Sequence, residues 1–155
     1  SGRLGIEHRL LMARDRRAPL PVFQLLVYPV TGYDFNTASY RQNAEGYLLT
    51  RDGMQWYWQH YLQRPDDAAN LYAEPLAAAD LTGLPPALVI TAELDPLCDE
   101  GEAYARRLQA AGVPTRYSKY DGMIHGFFGM PALLDKGKQA IAEATSTLRQ
   151  AFAAR

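Results

Sequence analysis

Two short runs of almost continuous apolar residues limit the folds open to this chain more than any other feature of its sequence. Residues 21–30 read PVFQLLVYPV and stand between prolines, and residues 87–92 read ALVITA. Neither run alternates apolar with polar residues, as a strand with one wetted face would. Short uninterrupted runs of this kind are typical of strands that are buried on both faces in a parallel sheet.

The segments around these runs carry helical signals. Thr50 can cap a helix whose apolar side chains recur every three or four residues. A second helix has an acidic first turn after residue 98 and is stopped by Gly112. Helices are therefore predicted over residues 6–15, from Thr50 to about residue 64, over residues 99–111 and over residues 133–153.

A third strand is predicted at residues 114–120, where PTRYSKY alternates in the manner of a half-exposed or edge strand. Residues 31–50 and 65–86 read as irregular, and residues 121–130 read as a glycine-containing loop. Strands that alternate with helices indicate an α/β fold with about three parallel strands and flanking helices. In such sheets the functional loops follow the carboxyl ends of the strands.

Size and charge exclude several classes of protein. A chain of 155 residues corresponds to about one domain, and 48% apolar with 21% charged residues is the composition of a folded protein. A net charge of -1 argues against sequence-independent nucleic-acid binding. No apolar run is long enough to span a bilayer, and no signal peptide is expected. The single cysteine, Cys98, fits a reducing compartment, so a cytoplasmic protein is expected.

Two polar residues stand where chemistry is expected in this fold. Asp95 follows the second apolar run and precedes Pro96, and His125 lies in the loop after the third strand. A carboxylate that holds one nitrogen of an imidazole lets the other nitrogen take up and return a proton near neutral pH. Each residue also has a purely structural interpretation, as a turn-forming aspartate and as a hydrogen-bonded loop histidine.

Two motifs carry a family resemblance. Residues 94–101, LDPLCDEG, and residues 121–127, DGMIHGF, resemble the DPLxDEG and HGF motifs of the hormone-sensitive-lipase-like branch of the α/β hydrolases, a group of bacterial esterases. The resemblance extends over about residues 10–152. It implies a partial α/β-hydrolase fold and a carboxylic ester hydrolase of the Ser-His-Asp type that needs no cofactor and no metal. In that reaction the resemblance implies that Asp95 is the acidic member of the triad and that His125 is the catalytic base.

Two segments that are typical of the family are absent from residues 1–155. These residues have no G-x-S-x-G nucleophile elbow and no HGGG oxyanion segment, and the family serine would fall at or just before Ser1. We therefore expect residues 1–155 to be the C-terminal portion of an α/β-hydrolase domain, inactive in isolation. The alternative is a non-catalytic, degenerate hydrolase module that binds a partner or a small apolar ligand. A flavodoxin-like domain is disfavoured because no phosphate-binding loop is present.

The remaining candidates carry weaker signals. Cys98 stands near a helix N-terminus, which favours a thiolate, although a small, partly buried side chain is the simpler interpretation. His8 and His60 lack metal-ligand spacing. By resemblance to the family, a small ester substrate and a homodimer through strand 114–120 are expected. Six aromatic residues are candidates either for the wall of an acyl pocket or for plain core: Tyr33, Tyr40, Tyr47, Trp56, Tyr57 and Trp58.

Overall fold

The two apolar runs form neighbouring strands of one parallel sheet. The computed structural model describes residues 6–62 and 74–154. Strand β1 (Gln24–Val27) pairs with β2 (Ala87–Leu94), and β2 pairs on its other side with β3 (Thr115–Ile124). Both pairs are parallel, and the strand order is β1-β2-β3. The predicted α/β architecture with three parallel strands is therefore confirmed.

Five α-helices of the described residues accompany the sheet: α1 (Ile6–Asp15), α2 (Ala38–Gln42), α3 (Arg51–Tyr61), α4 (Cys98–Ala110) and α5 (Asp135–Ala153). Thr50 caps α3 as predicted, because its side-chain oxygen accepts a hydrogen bond from the N–H of Gly53. Helix α2 lies in a segment predicted to be irregular, and α3 ends three residues earlier than predicted. Residues 63–73, part of another segment predicted to be irregular, lie outside the described residues.

Side chains of β2 alternate between two core clusters, one on each face of the sheet. Residues 87–92 are at most 2% exposed, as expected for a strand covered on both sides. Ala87 and Val89 join the cluster that contains side chains of α1 and α4. Leu88 and Ile90 join the cluster that contains Ala140 of α5. None of the helices in the described ranges is long and apolar enough to cross a membrane.

A third cluster packs the long excursion between β1 and β2 against the end of β2. It joins Tyr40 of α2 with Met54 and Trp58 of α3, and it includes Leu97, which directly precedes α4. Trp58 and Leu97 are each 1% exposed, and Tyr40 is fully buried. The burial of these large side chains fixes α2 beside the chain that leaves β2.

The third strand is longer than predicted. It extends to Ile124, so residues 121–124 belong to β3 and not to the loop that was expected there. Pairing with β2 is irregular between Ala92 and Leu94, and nearby the N–H of Gly122 donates a hydrogen bond to the Glu93 carboxylate. An edge strand tolerates glycine and polar residues because main-chain hydrogen bonds to the neighbouring strand hold it in place, even where its side chains are not buried. For that reason the sequence pattern did not reveal the extension.

Candidate active site

Asp95 lies directly beyond the carboxyl end of β2, and its side chain is completely buried. One carboxylate oxygen, Oδ1, accepts a hydrogen bond from the N–H of Leu97 at 2.9 Å. The other oxygen, Oδ2, lies 2.8 Å from Nδ1 of His125. A buried carboxylate is tolerated only when hydrogen bonds replace its hydration. Both oxygens have such a partner, so the carboxylate is held between the start of α4 and the residue that follows β3.

His125 directly follows β3, and its side chain is 25% exposed. The next residue, Gly126, has a φ of 88°, which lets the chain turn sharply after the imidazole. The ring packs against Tyr28, with ring centroids 4.3 Å apart. Tyr28 follows β1 and has a φ of 37°, a strained value for a residue with a side chain. The structure thus places residues from the ends of all three strands around one imidazole.

Hydrogen bonding determines which nitrogen of His125 is available as a base. An ionised carboxylate only accepts hydrogen bonds, so Nδ1 carries the proton that points to Asp95. The neutral ring then presents the lone pair of Nε2. Among the residues that the structure describes, none forms a hydrogen bond to Nε2. The pair can therefore accept a proton at Nε2 while the Asp95 carboxylate compensates the positive charge of the ring.

Tyr28 shields one side of this pair and stays neutral. Burial, followed by the negative charge of Asp95, raises the pKa of the Tyr28 hydroxyl above its ordinary value. The sequence placed Tyr28 in an apolar run and in a segment that resembles the family, but it did not indicate a contact with His125. Its contact with His125 depends on the alignment of β1, β2 and β3 across the sheet, which no local pattern encodes.

Glu100 is a second buried carboxylate that sequence reasoning did not single out as functional. It lies on α4, is 3% exposed, and accepts hydrogen bonds at Oε1 from the N–H groups of Thr31 at 2.7 Å and Gly32 at 3.3 Å. Within the described part of the chain, Oε2 has no hydrogen-bond partner. Burial raises the pKa of Glu100 to about 8. The side chain ties α4 to the segment that follows β1.

The other candidates from the sequence do not join this site. Cys98 begins α4 and is buried, and burial raises the pKa of its thiol. His8 contacts Tyr61, whose hydroxyl lies 3.3 Å from Nδ1 of His8, and burial lowers the pKa of His8 to about 4. His60 contacts the carbonyl oxygen of Trp56. No group of three metal-ligating side chains occurs within residues 6–62 and 74–154. Ser1 lies outside the described residues.

The aromatic residues divide between core and surface. Tyr40 and Trp58 are buried core residues, whereas Trp56 is 62% exposed. A cavity of about 300 Å³ is lined by Tyr57, Trp58 and Tyr61 together with residues of β1. Neither Asp95 nor His125 lines that cavity. A role of these aromatic side chains in an acyl pocket stays a prediction.

The sequence of this chain is similar to one known protein family and to several known proteins. A family described as alpha/beta hydrolase fold matches residues 6–129. Ethyl acetate hydrolase of Pseudomonas putida is 32% identical over 139 residues, which are 90% of this chain and 44% of that protein. Carboxylic ester hydrolase LipN of Mycobacterium tuberculosis is 38% identical over 138 residues, which are 88% of this chain and 37% of that protein. The chain thus spans less than half the length of these relatives.

Solved structures agree with the sequence comparisons. An ester hydrolase from the metagenome of Lake Arreo superimposes with a TM-score of 0.89 at 43% identity, over 95% of this chain and 47% of that one. Another solved structure, of an alpha/beta hydrolase from the same metagenome, gives a TM-score of 0.83 at 45% identity, over 89% of this chain and 44% of that one. At these identities the likeness extends beyond the fold to the family.

Proposed function

Because this chain belongs to the alpha/beta hydrolase family, we propose that it carries the general base and the acid of a serine carboxylic ester hydrolase. The observation that carries the proposal is the 2.8 Å contact between Nδ1 of His125 and Oδ2 of Asp95 beyond the ends of adjacent parallel strands. Two relatives are named as hydrolases of esters, and these names support the same reaction class.

In the proposed reaction, Nε2 of His125 takes the proton of a serine hydroxyl as that oxygen attacks the ester carbonyl. The same nitrogen then gives the proton to the departing alcohol. Water next attacks the acyl-serine while Nε2 takes the water proton, and that proton returns to the serine oxygen as the carboxylic acid is released. Asp95 holds the imidazole in the tautomer that keeps Nε2 free, and it stabilises the imidazolium that forms. Partial burial of the pair strengthens this attraction relative to bulk water.

The nucleophile and the oxyanion hole come, in this proposal, from polypeptide other than these 155 residues. The chain contains no G-x-S-x-G segment. Ser39 and Ser118, although described, bond to Pro96 and Glu143 and are not directed at His125. We accordingly take residues 1–155 as the C-terminal portion of the hydrolase domain.

Further assignments within the proposal rest on single features. The LDPLCDEG and HGF segments favour the hormone-sensitive-lipase-like branch, and the single Cys98 favours a cytoplasmic location. Strand β3 forms one edge of the described sheet, and such an edge can pair with a second copy of the chain. Pairing through this strand would give a homodimer, which sedimentation measurements at two protein concentrations would test.

The experiment is reconstitution of the active site. The chain is combined with the amino-terminal part of ethyl acetate hydrolase, either as a fusion or as a separate polypeptide, and hydrolysis of 4-nitrophenyl acetate is measured. We expect turnover that His125→Ala and Asp95→Asn each reduce by about 10⁴-fold or more. His60→Ala is the matched control, because His60 is exposed and, among the described residues, its hydrogen bond is to the carbonyl oxygen of Trp56 in the same helix.

Two results would refute the proposal. One is a reconstituted protein that hydrolyses the ester equally well with alanine at position 125. The other is a reconstituted protein in which the two parts fold and associate but which does not hydrolyse the ester faster than buffer does. The second result would favour the non-catalytic module that the sequence left open.

A further inference from the structure

Helix α2 makes four side-chain hydrogen bonds to the acid loop, defined here as residues 93–99. The Ser39 hydroxyl donates to the carbonyl oxygen of Pro96 at 2.6 Å and accepts from the N–H of Asp99 at 3.2 Å. The side-chain amide of Asn43, the capping residue directly after α2, donates to the carbonyl oxygens of Glu93 at 3.2 Å and Asp95 at 3.4 Å. Ser39 and Asn43 are 4% and 6% exposed.

Helix α2 is itself held firmly enough to act as an anchor. Thr37 caps its first turn, since the Thr37 hydroxyl accepts a hydrogen bond from the N–H of Tyr40. Tyr40 is fully buried in the cluster that also contains Leu97 of the acid loop. A fifth hydrogen bond joins the same two segments, because the Asp99 carboxylate accepts the N–H of Ser39 at 2.8 Å.

The sheet does not hold the acid loop unaided. The pairing of β2 with β3 is irregular between Ala92 and Leu94, just before Asp95. The buried side-chain amide of Asn43 lies within hydrogen-bond distance of the carbonyl oxygens of Glu93 and Asp95, and the Asp95 carbonyl also accepts the N–H of Cys98 at 3.1 Å. Two donors on one amide group meet both carbonyls. The path of the main chain on either side of Asp95 is thereby tied to α2.

We propose that Asn43 and Ser39 are positioning residues, which hold the main chain of the acid loop so that the Asp95 carboxylate meets Nδ1 of His125. They touch neither His125 nor Nε2, so they act only through Asp95. This proposal rests on the proposed function for its catalytic consequence, but its structural consequence is independent of that function. A misplacement of about 1 Å in a catalytic group costs about 10²-fold in rate.

The kinetic test compares variants in the reconstituted hydrolase. Asn43→Asp is nearly isosteric and replaces two donors with a carboxylate that faces two carbonyl oxygens. Asn43→Ala removes the donors without adding a charge. We expect a fall in kcat of about tenfold or more with KM changed less than twofold, larger for Asn43→Asp than for Asn43→Ala. Gln42→Ala is the matched control, because Gln42 is the exposed neighbour on the same helix.

The structural test uses hydrogen exchange in the 155-residue chain, so it stands even if no activity is reconstituted. The N–H of Leu97 bonds to Oδ1 of Asp95 and reports on the acid loop, whereas the N–H of Val89 reports on the centre of β2. We expect Asn43→Ala and Ser39→Ala to speed exchange at Leu97 by about tenfold or more and to leave Val89 unchanged.

The two tests separate the proposals. Faster exchange at Leu97 without any reconstituted activity would support the positioning role and count against the proposed function. Folded Asn43→Ala and Asn43→Asp proteins with wild-type exchange at Leu97 would overturn the positioning role, whatever their activity. So would reconstituted variants whose kcat lies within twofold of the wild-type value.

Discussion

Substitution of Glu100 by glutamine should change how the stability of this chain depends on pH. Burial raises the pKa of Glu100 from 4.5 to about 8, so the folded chain retains this proton up to about pH 8. The unfolded chain loses the proton near pH 4.5. The unfolded state therefore binds fewer protons between these pH values, and the free energy of unfolding falls as pH rises.

The size of the effect follows from the shift. Each unit of pKa corresponds to about 1.4 kcal/mol, so a rise from 4.5 to about 8 is worth about 5 kcal/mol. Glu100 is 3% exposed, so solvent screening reduces this figure little. Glutamine retains an oxygen for the N–H groups of Thr31 and Gly32 and resembles the protonated acid. It has no charge to bury at high pH.

The assay is urea unfolding of the two proteins at pH 5 and pH 8. We expect the Glu100→Gln protein to be more stable than the wild type by about 1 kcal/mol at pH 5 and by about 4 kcal/mol at pH 8. Glu45→Gln makes the same side-chain substitution at an exposed position and is the control. A wild-type chain and a Glu100→Gln chain whose stabilities run parallel over this range would refute the argument.

Three further outcomes are expected. Gly101→Ala should destabilise the chain by about 1–3 kcal/mol in urea unfolding, because the new Cβ would lie 2.7 Å from Cγ2 of buried Thr91. A change below about 0.5 kcal/mol, which is the usual range of surface substitutions, would contradict this packing. The Cys98 thiol should react with a disulfide reagent far more slowly in native buffer than in urea, because the thiol is buried and its pKa is raised. Equal rates in the two solutions would show that the thiol is accessible in the folded chain. The 155-residue chain alone should not hydrolyse 4-nitrophenyl acetate above the buffer rate, and turnover that His125→Ala abolishes would contradict this.

Local patterns in the sequence were enough to predict the elements that build the sheet. The uninterrupted apolar run at 87–92 needs cover on both faces, and β2 has that cover. The Thr50 cap was read correctly because the bond it makes reaches only three residues along the chain. Helix α2 was missed because five residues carry too little periodicity to indicate a helix, and its order comes from Tyr40 in the third core cluster.

Sequence order alone therefore determined a parallel α/β sheet with a carboxylate after one strand and an imidazole after the next. That prediction was possible because strand direction and connection hand are nearly invariant in such folds. Only the tertiary structure decided what holds these groups: Tyr28 against the imidazole, and Asn43, 52 residues from Asp95, against the acid loop. Contacts across such separations depend on how helices and strands pack in three dimensions, and a pattern read over a few neighbouring residues contains no information about that packing.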